Sequence, residues 1–194
     1  MIAGLQPLVR VLRYALCWCC LFLVGCATLE QQTTADLPSG ESFFLSGRIS
    51  LKYGSEAASG QVSWRHTADS DDLLLSSPMG QGLARVVRQD ALVRLITSDK
   101  KEYQSGDAES LTEQILGWRL PLAGLPEWVR ARAAPGSDAQ TRTDATQRLI
   151  ELRQSGWLVE FLEYDAPSGL PLRLRLTRGD VEIRLAISAW RGAT

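Results

Sequence analysis

The chain has 194 residues, 45% of them hydrophobic, and a formal net charge of −1 at pH 7. So slight an acidic balance lacks the basic face that a nucleic-acid binder presents. All four cysteines (Cys17, Cys19, Cys20, Cys26) lie at the N-terminal end and His66 is the one histidine, so the rest of the chain has no disulfide, no thiolate nucleophile and no Cys or multi-His metal site.

Arg10 and Arg13 precede Tyr14 to Leu23, a run without a charged residue. Basic residues, a short apolar stretch and a small residue before the cut describe a secretory signal. The apolar run is about half the ~20 residues that a spanning helix needs. Leu23-Val24-Gly25-Cys26 resembles the bacterial lipobox, whose cysteine is acylated and becomes the first residue of the mature protein. The expected organisation is a signal peptide at 1–25, lipidated Cys26 with a flexible tether through residue 42, and one domain over 43–194. Taking 25 residues from 194 leaves 169, enough for a sizeable single core, and removing Arg10 and Arg13 moves the formal charge from −1 to −3. Ala27 stands where enterobacterial lipoproteins retained at the inner membrane carry aspartate, so that resemblance implies delivery to the outer membrane.

Residues 27–42 are rich in Thr, Gln, Ser and Gly, which suits a tether. From Phe43 the pattern turns to period two. Ile49, Leu51 and Tyr53 alternate with Arg48, Ser50 and Lys52, a strand with one wet face. Further strands are expected at Gln61–Arg65, Leu73–Ser76, Leu83–Arg88, Leu92–Thr97 and Glu102–Gln104, with turn residues between them.

The middle breaks the pattern. Asp107 is an N-cap candidate, Leu111, Ile115 and Leu116 fall at helical spacing, and Gly117 is a stop. A second helical piece is expected over residues 122–132, and residues 133–144 read as an exposed loop. Period two then returns in four strands: Leu149–Arg153, Trp157–Tyr164, Leu170–Thr177 and Val181–Trp190, the last two joined at Gly179-Asp180. The fold class is mainly β, an antiparallel half-open barrel of about ten strands with a helical lid inserted after the sixth.

Catalytic groups are scarce. Glu160 and Glu163, three apart in one strand, are expected on opposite faces and make a poor acid–base pair. Asp69, Asp71 and Asp72 read as a solvated turn, because the pattern of a calcium loop is absent. His66, after an arginine and beside a turn, reads as a surface residue. No Gly-rich phosphate loop, HExxH or GxSxG occurs. The expectation is no enzyme and no cofactor. Five of the six tryptophans (Trp64, Trp118, Trp128, Trp157, Trp190) fall after Cys26, and Trp suits surfaces that meet long apolar ligands as well as cores.

Several stretches together carry a family resemblance. Ser77-Pro78-Met79-Gly80, after Leu73-Leu74-Leu75, resembles the NPLG segment of the LolB family of outer-membrane lipoprotein receptors, which share the LolA/LolB-like fold. Gly117-Trp118-Arg119-Leu120-Pro121-Leu122 with Leu125 and Trp128, then Gln154-Ser155-Gly156-Trp157-Leu158-Val159, then Leu170-Pro171 with Leu174, Leu176 and Trp190 fit that family in order. With Gly47-Arg48-Ile49 and the lipobox, the match spans nearly the whole chain. The resemblance implies a periplasm-facing, outer-membrane lipid-anchored receptor that takes acylated lipoprotein cargo from a LolA-like periplasmic carrier, without nucleic acid and as a monomer. It also implies a membrane-insertion loop at Pro78, Met79 and Gly80, with Met79 where better-known members carry leucine. The expected acyl-binding cavity is lined by Trp64, Leu74, Leu116, Trp128 and Trp157. A lipid- or glycolipid-binding lipoprotein, or an outer-membrane assembly accessory without protein cargo, stays open as an alternative.

Overall fold

Alternating apolar and polar residues become eleven antiparallel strands in the computed structural model, which describes residues 42–192. Cys26, the signal and the tether lie outside the described residues. The strands are β1 (Phe43–Tyr53), β2 (Glu56–His66), β3 (Ser70–Ser76), β4 (Gly82–Gln89), β5 (Leu92–Thr97) and β6 (Glu102–Ser105). After helices α1 (Ala108–Leu116) and α2 (Leu125–Trp128) come β7 (Ala139–Thr143), β8 (Leu149–Gln154), β9 (Trp157–Tyr164), β10 (Pro171–Arg178) and β11 (Val181–Arg191).

They form one sheet in the order β6-β5-β4-β3-β2-β1-β11-β10-β9-β8-β7. Two meanders thus meet at a central seam between β1 and β11, and the edge strands β6 and β7 stay apart. This is the half-open barrel that the alternation predicts, with the helical segment connecting its two free edges.

One face of the sheet builds the core. Phe43 and Leu45 of β1, Leu73 and Leu75 of β3, and Ile183, Leu185 and Ile187 of β11 are buried. The helical segment closes the core with Leu111, Trp118, Leu120, Leu125, Trp128 and Val129. Each such side chain taken from water contributes roughly 1.5–3 kcal/mol, so sheet and lid hold each other. At Gly47 the register of β1 against β11 shifts. A Cβ there would sit 2.2 Å from the Ala186 carbonyl oxygen, so only glycine lets the seam close.

Three expectations are corrected. The strands number eleven, because residues 139–143 of the expected loop form β7, whose five residues are all exposed and which is held by backbone pairing to β8. The second helix is confined to Leu125–Trp128, with turn hydrogen bonds on either side, such as Leu122 N to Leu120 O and Arg132 N to Glu127 O. Strand β2 begins at Glu56, ahead of the expected Gln61, because its first residues are exposed on both faces.

Candidate functional site

The lid is the segment that sequence period could not place against the sheet, and polar ties hold it there. Asp107 caps α1, accepting from the backbone N–H groups of Glu109 and Ser110, and Gly117 ends it in the left-handed region at φ 82°. The Ser110 hydroxyl and backbone N–H, then that of Glu109, with Arg119 nearby, hold the Asp107 carboxyl below its usual range. Thr112 donates its hydroxyl to Ala108 O and accepts from Leu120 N, turning the chain back over the helix. Glu109 accepts from Arg178 of β10 at 2.7 Å and from Trp157 Nε1 at 3.4 Å.

The second tie is a buried glutamine. Gln154, at the end of β8, accepts from Trp128 Nε1 and from Ala134 N, both at 2.8 Å. Its amide nitrogen donates to Ala134 O at 2.7 Å and to Ser137 O at 3.0 Å. Trp128 lies in the space that Gly124 leaves free, since a Cβ there would meet its ring at 2.4 Å.

Beneath the end of α1 an apolar pocket of about 200 Å³ remains open between lid and sheet. Ile49 and Leu51 of β1, Leu75 of β3, Leu83 of β4, and Leu116 and Trp118 of the lid line it. Leu75 and Leu83 flank the β3–β4 connection, so the pocket adjoins the loop that carries Pro78, Met79 and Gly80. That loop is a tight turn: Ser77 N bonds Gln81 O at 2.7 Å and Gly80 N bonds Ser77 O at 2.9 Å. Gln61 Nε2 holds Pro78 O at 3.1 Å. Met79 is 90% exposed at the tip.

The five residues expected to line a cavity separate. Leu116 lines the apolar pocket. Trp128 of the lid and Trp157 of β9 lie 6.5 Å apart between ring centres, both packed into the core. Trp64 belongs to a different cluster, edge-on to Phe43 at 4.9 Å and donating to Asp71 Oδ1 at 2.9 Å. Leu74 is corrected: it is 38% exposed and faces away from the core, while Leu73 and Leu75 point inward. Ile49, Leu51, Leu75, Leu83 and Trp118 were missed. The inward phase of β1 and β3 could have found the first three.

Two further expectations fail on burial. His66 is buried, with Nδ1 2.7 Å from Asp71 Oδ1. Asp71 is fully buried on the inward face of β3, and Arg88 Nε reaches its other oxygen at 2.6 Å. Asp71 is the centre of a buried cluster, hydrogen-bonded to Trp64 and His66 of β2 and ion-paired with Arg88 of β4, not part of a solvated turn. Glu160 and Glu163 both pair with outward arginines, Arg175 and Arg173, because the register of β9 against β10 shifts between Pro171 and Leu174. Among the described residues no group of three or more His, Cys, Asp or Glu could hold a metal ion.

A family model described as "Outer membrane lipoprotein LolB" matches residues 41–190. The outer-membrane lipoprotein LolB of Nitrosomonas europaea is 38% identical over 191 residues, covering 90% of each chain. That of Thiobacillus denitrificans is 35% identical over 173 residues, covering 88% of this chain and 92% of its own. Among solved structures, a LolA superfamily protein from Nitrosomonas europaea superposes with a TM-score of 0.51 at 10% identity, over 82% of this chain and 89% of its own. At that identity the likeness concerns the fold alone.

Proposed function

The chain belongs to the LolB family of outer-membrane lipoproteins, and on that premise we propose that it accepts acylated lipoproteins from a soluble periplasmic carrier and releases them into the outer membrane. Lipid anchoring at the outer membrane, a part in lipoprotein localisation and the absence of an enzymatic activity come with that membership. Cys26 is the proposed acylation site, with residues 1–25 removed as the signal.

The observation that carries the hand-over is the apolar pocket beneath α1, opening beside a loop whose Met79 stands in solvent. A buried methylene is worth about 0.8 kcal/mol, so one long acyl chain represents roughly 10 kcal/mol against water. Cargo therefore passes from donor to receiver without crossing water, and each receiver needs only a few kcal/mol over its donor. No nucleotide is required for a downhill sequence of that kind.

At about 200 Å³ the pocket falls short of the ~300–1,000 Å³ usual for small-molecule sites. It receives the end of a chain, and the remainder follows as α1 lifts from Leu51 and Leu75. Trp157, tied to α1 through Glu109, and its neighbour Trp128 become the wall of the widened cavity. Met79, flexible and apolar, enters the membrane and leads the chain out.

The test uses residues 27–194, which carry the whole core. An environment-sensitive apolar dye should bind saturably and be displaced by an acylated peptide. Carrier loaded with labelled lipoprotein should lose its load on mixing. Absence of saturable dye binding removes the cavity. Dye binding without unloading of the carrier would favour a lipid-binding lipoprotein without protein cargo.

A further inference from the structure

On the face of the sheet turned away from the core lies a groove of about 580 Å³, walled by Arg48, Arg173, Arg175 and Arg184. Its depth follows from register. Ala186 sits between Arg48 of β1 and Arg173 of β10, and Ser50 sits beside Arg184. Small side chains in a row of long ones leave a dent.

The charges do not cancel. Arg173 pairs with Glu163, Arg175 with Glu160, and Arg184 with Glu182. Arg48 has no hydrogen-bond or ion-pair partner among the described residues, so four guanidinium groups face three carboxylates. Among the described residues Arg175 Nε has no hydrogen-bond partner, and the Glu182 carboxylate lies 3.9 Å from it. With Arg48 unpaired the groove carries one positive charge in excess, which is complementary to an anion.

The groove also has a direction. Arg48 and Gln61 continue it into a second hollow, of about 400 Å³, floored by Ser46, Ser63, Ser76 and Ser188. Pro78, held by Gln61 Nε2, forms one rim of the arginine groove, and the next residue is the exposed Met79. Leu162, 51% exposed, stands on the opposite rim. A cationic hollow next to an apolar tip matches a bilayer surface, where phosphates lie just above hydrocarbon.

We infer that this arginine groove binds the phosphate of an anionic phospholipid headgroup while Met79 enters the hydrocarbon beneath it. The membrane contact then has two parts, the apolar tip supplying depth and the groove supplying orientation about the loop. The inference uses the outer-membrane placement of the family and not the acyl pocket, so dye binding can fail while headgroup binding survives, and the reverse.

The experiment is co-sedimentation of residues 27–194 with vesicles of phosphatidylcholine alone or mixed with phosphatidylglycerol. The mixed vesicles should bind more protein, by a margin that shrinks as salt rises. Arg48→Gln, an exposed position, should weaken binding to the mixed vesicles about fivefold, the worth of one cation near an anionic surface, and leave phosphatidylcholine binding unchanged. Met79→Ala should weaken binding to both vesicles by the same factor. An Arg48→Gln chain that keeps the wild-type preference overturns the inference. So does competition by soluble glycerol phosphate at the total lipid concentration, which would make the site one for free phosphate. Unchanged vesicle binding with slowed unloading of the carrier would assign the groove to a protein partner instead and equally overturns it.

Discussion

Replacing Gln154 by leucine tests whether the lid is held by the clasp at the end of β8. The side chain is 3% exposed and its oxygen takes both Trp128 Nε1 and Ala134 N. The two amide hydrogens choose among Ala134 O, Ser137 O and Ser137 Oγ, so four bonds are satisfied at once. At about 1 kcal/mol net for each bond, and about 1–3 kcal/mol for an indole N–H stranded in the core, the upper bound is high. Ala134 and Ser137 are exposed enough to turn to water, which lowers the expected loss to about 3–5 kcal/mol. For a domain of this size that is a fall in Tm on the order of 10 °C. Thermal melts followed by circular dichroism measure it, and Trp128 emission should shift to the red. Gln154→Glu keeps the acceptor for Trp128 and should recover part of the loss. A Tm within about 2 °C of wild type, worth ~1 kcal/mol or less, would refute the clasp.

Met79→Glu removes an apolar tip that makes no core contact, so the melt should not change. Unloading of the carrier should also persist, while release into liposomes falls roughly 10- to 100-fold, the worth of about 1.5–3 kcal/mol for one buried side chain. If release is unaffected, the loop has been misassigned. Leu74→Ala should change stability by less than about 0.5 kcal/mol and the neighbouring Leu75→Ala by about 2–5 kcal/mol; urea denaturation that ranks them the other way would contradict the facing of β3. Asp107→Ala should cost about 1 kcal/mol at neutral pH. The Asp107 carboxyl is held below its ordinary value, so its stabilisation is complete above the unfolded value of about 3.9 and is lost as pH falls through the depressed one. The two stability curves should therefore meet only in acid, and a gap that closes between pH 5 and pH 7 would contradict this cap.

Much of the sheet was legible because one face is wet. Ile183 and Leu185 alternate with Glu182 and Arg184, and no other phase would bury them. The cap and stop of α1 were legible for the same local reason. Leu73-Leu74-Leu75 was not, since three leucines in a row fit either phase. The structure chooses through Asp71, which takes the inward phase only because Arg88 and His66 reach it from β4 and β2. His66 itself alternates with Val62 and Trp64, a clue outweighed by the arginine before it and the turn after. β7 carries no apolar residue on a regular face, so backbone pairing to β8 and the Arg142–Glu151 ion pair make it a strand without a hydrophobic signal. The apolar pocket exists only where the lid meets β1, β3 and β4, and no local pattern encodes such a meeting.

The seam between β1 and β11 bears on how the chain acquires its shape. Among the described residues the last strand, β11, sits at the middle of the sheet, paired with β1 from Phe44↔Arg191 to Tyr53↔Val181 with one shift at Gly47. Pairings so distant in sequence fold slowly, since the loop entropy is paid before any contact forms. Until β11 emerges, the two meanders have nothing between them, and β1 shows an unpaired edge. A sheet paired in this way stays unfinished until β11 has been made. Cutting the chain before Val181 would take out the keel of the sheet and leave two hairpin stacks adrift.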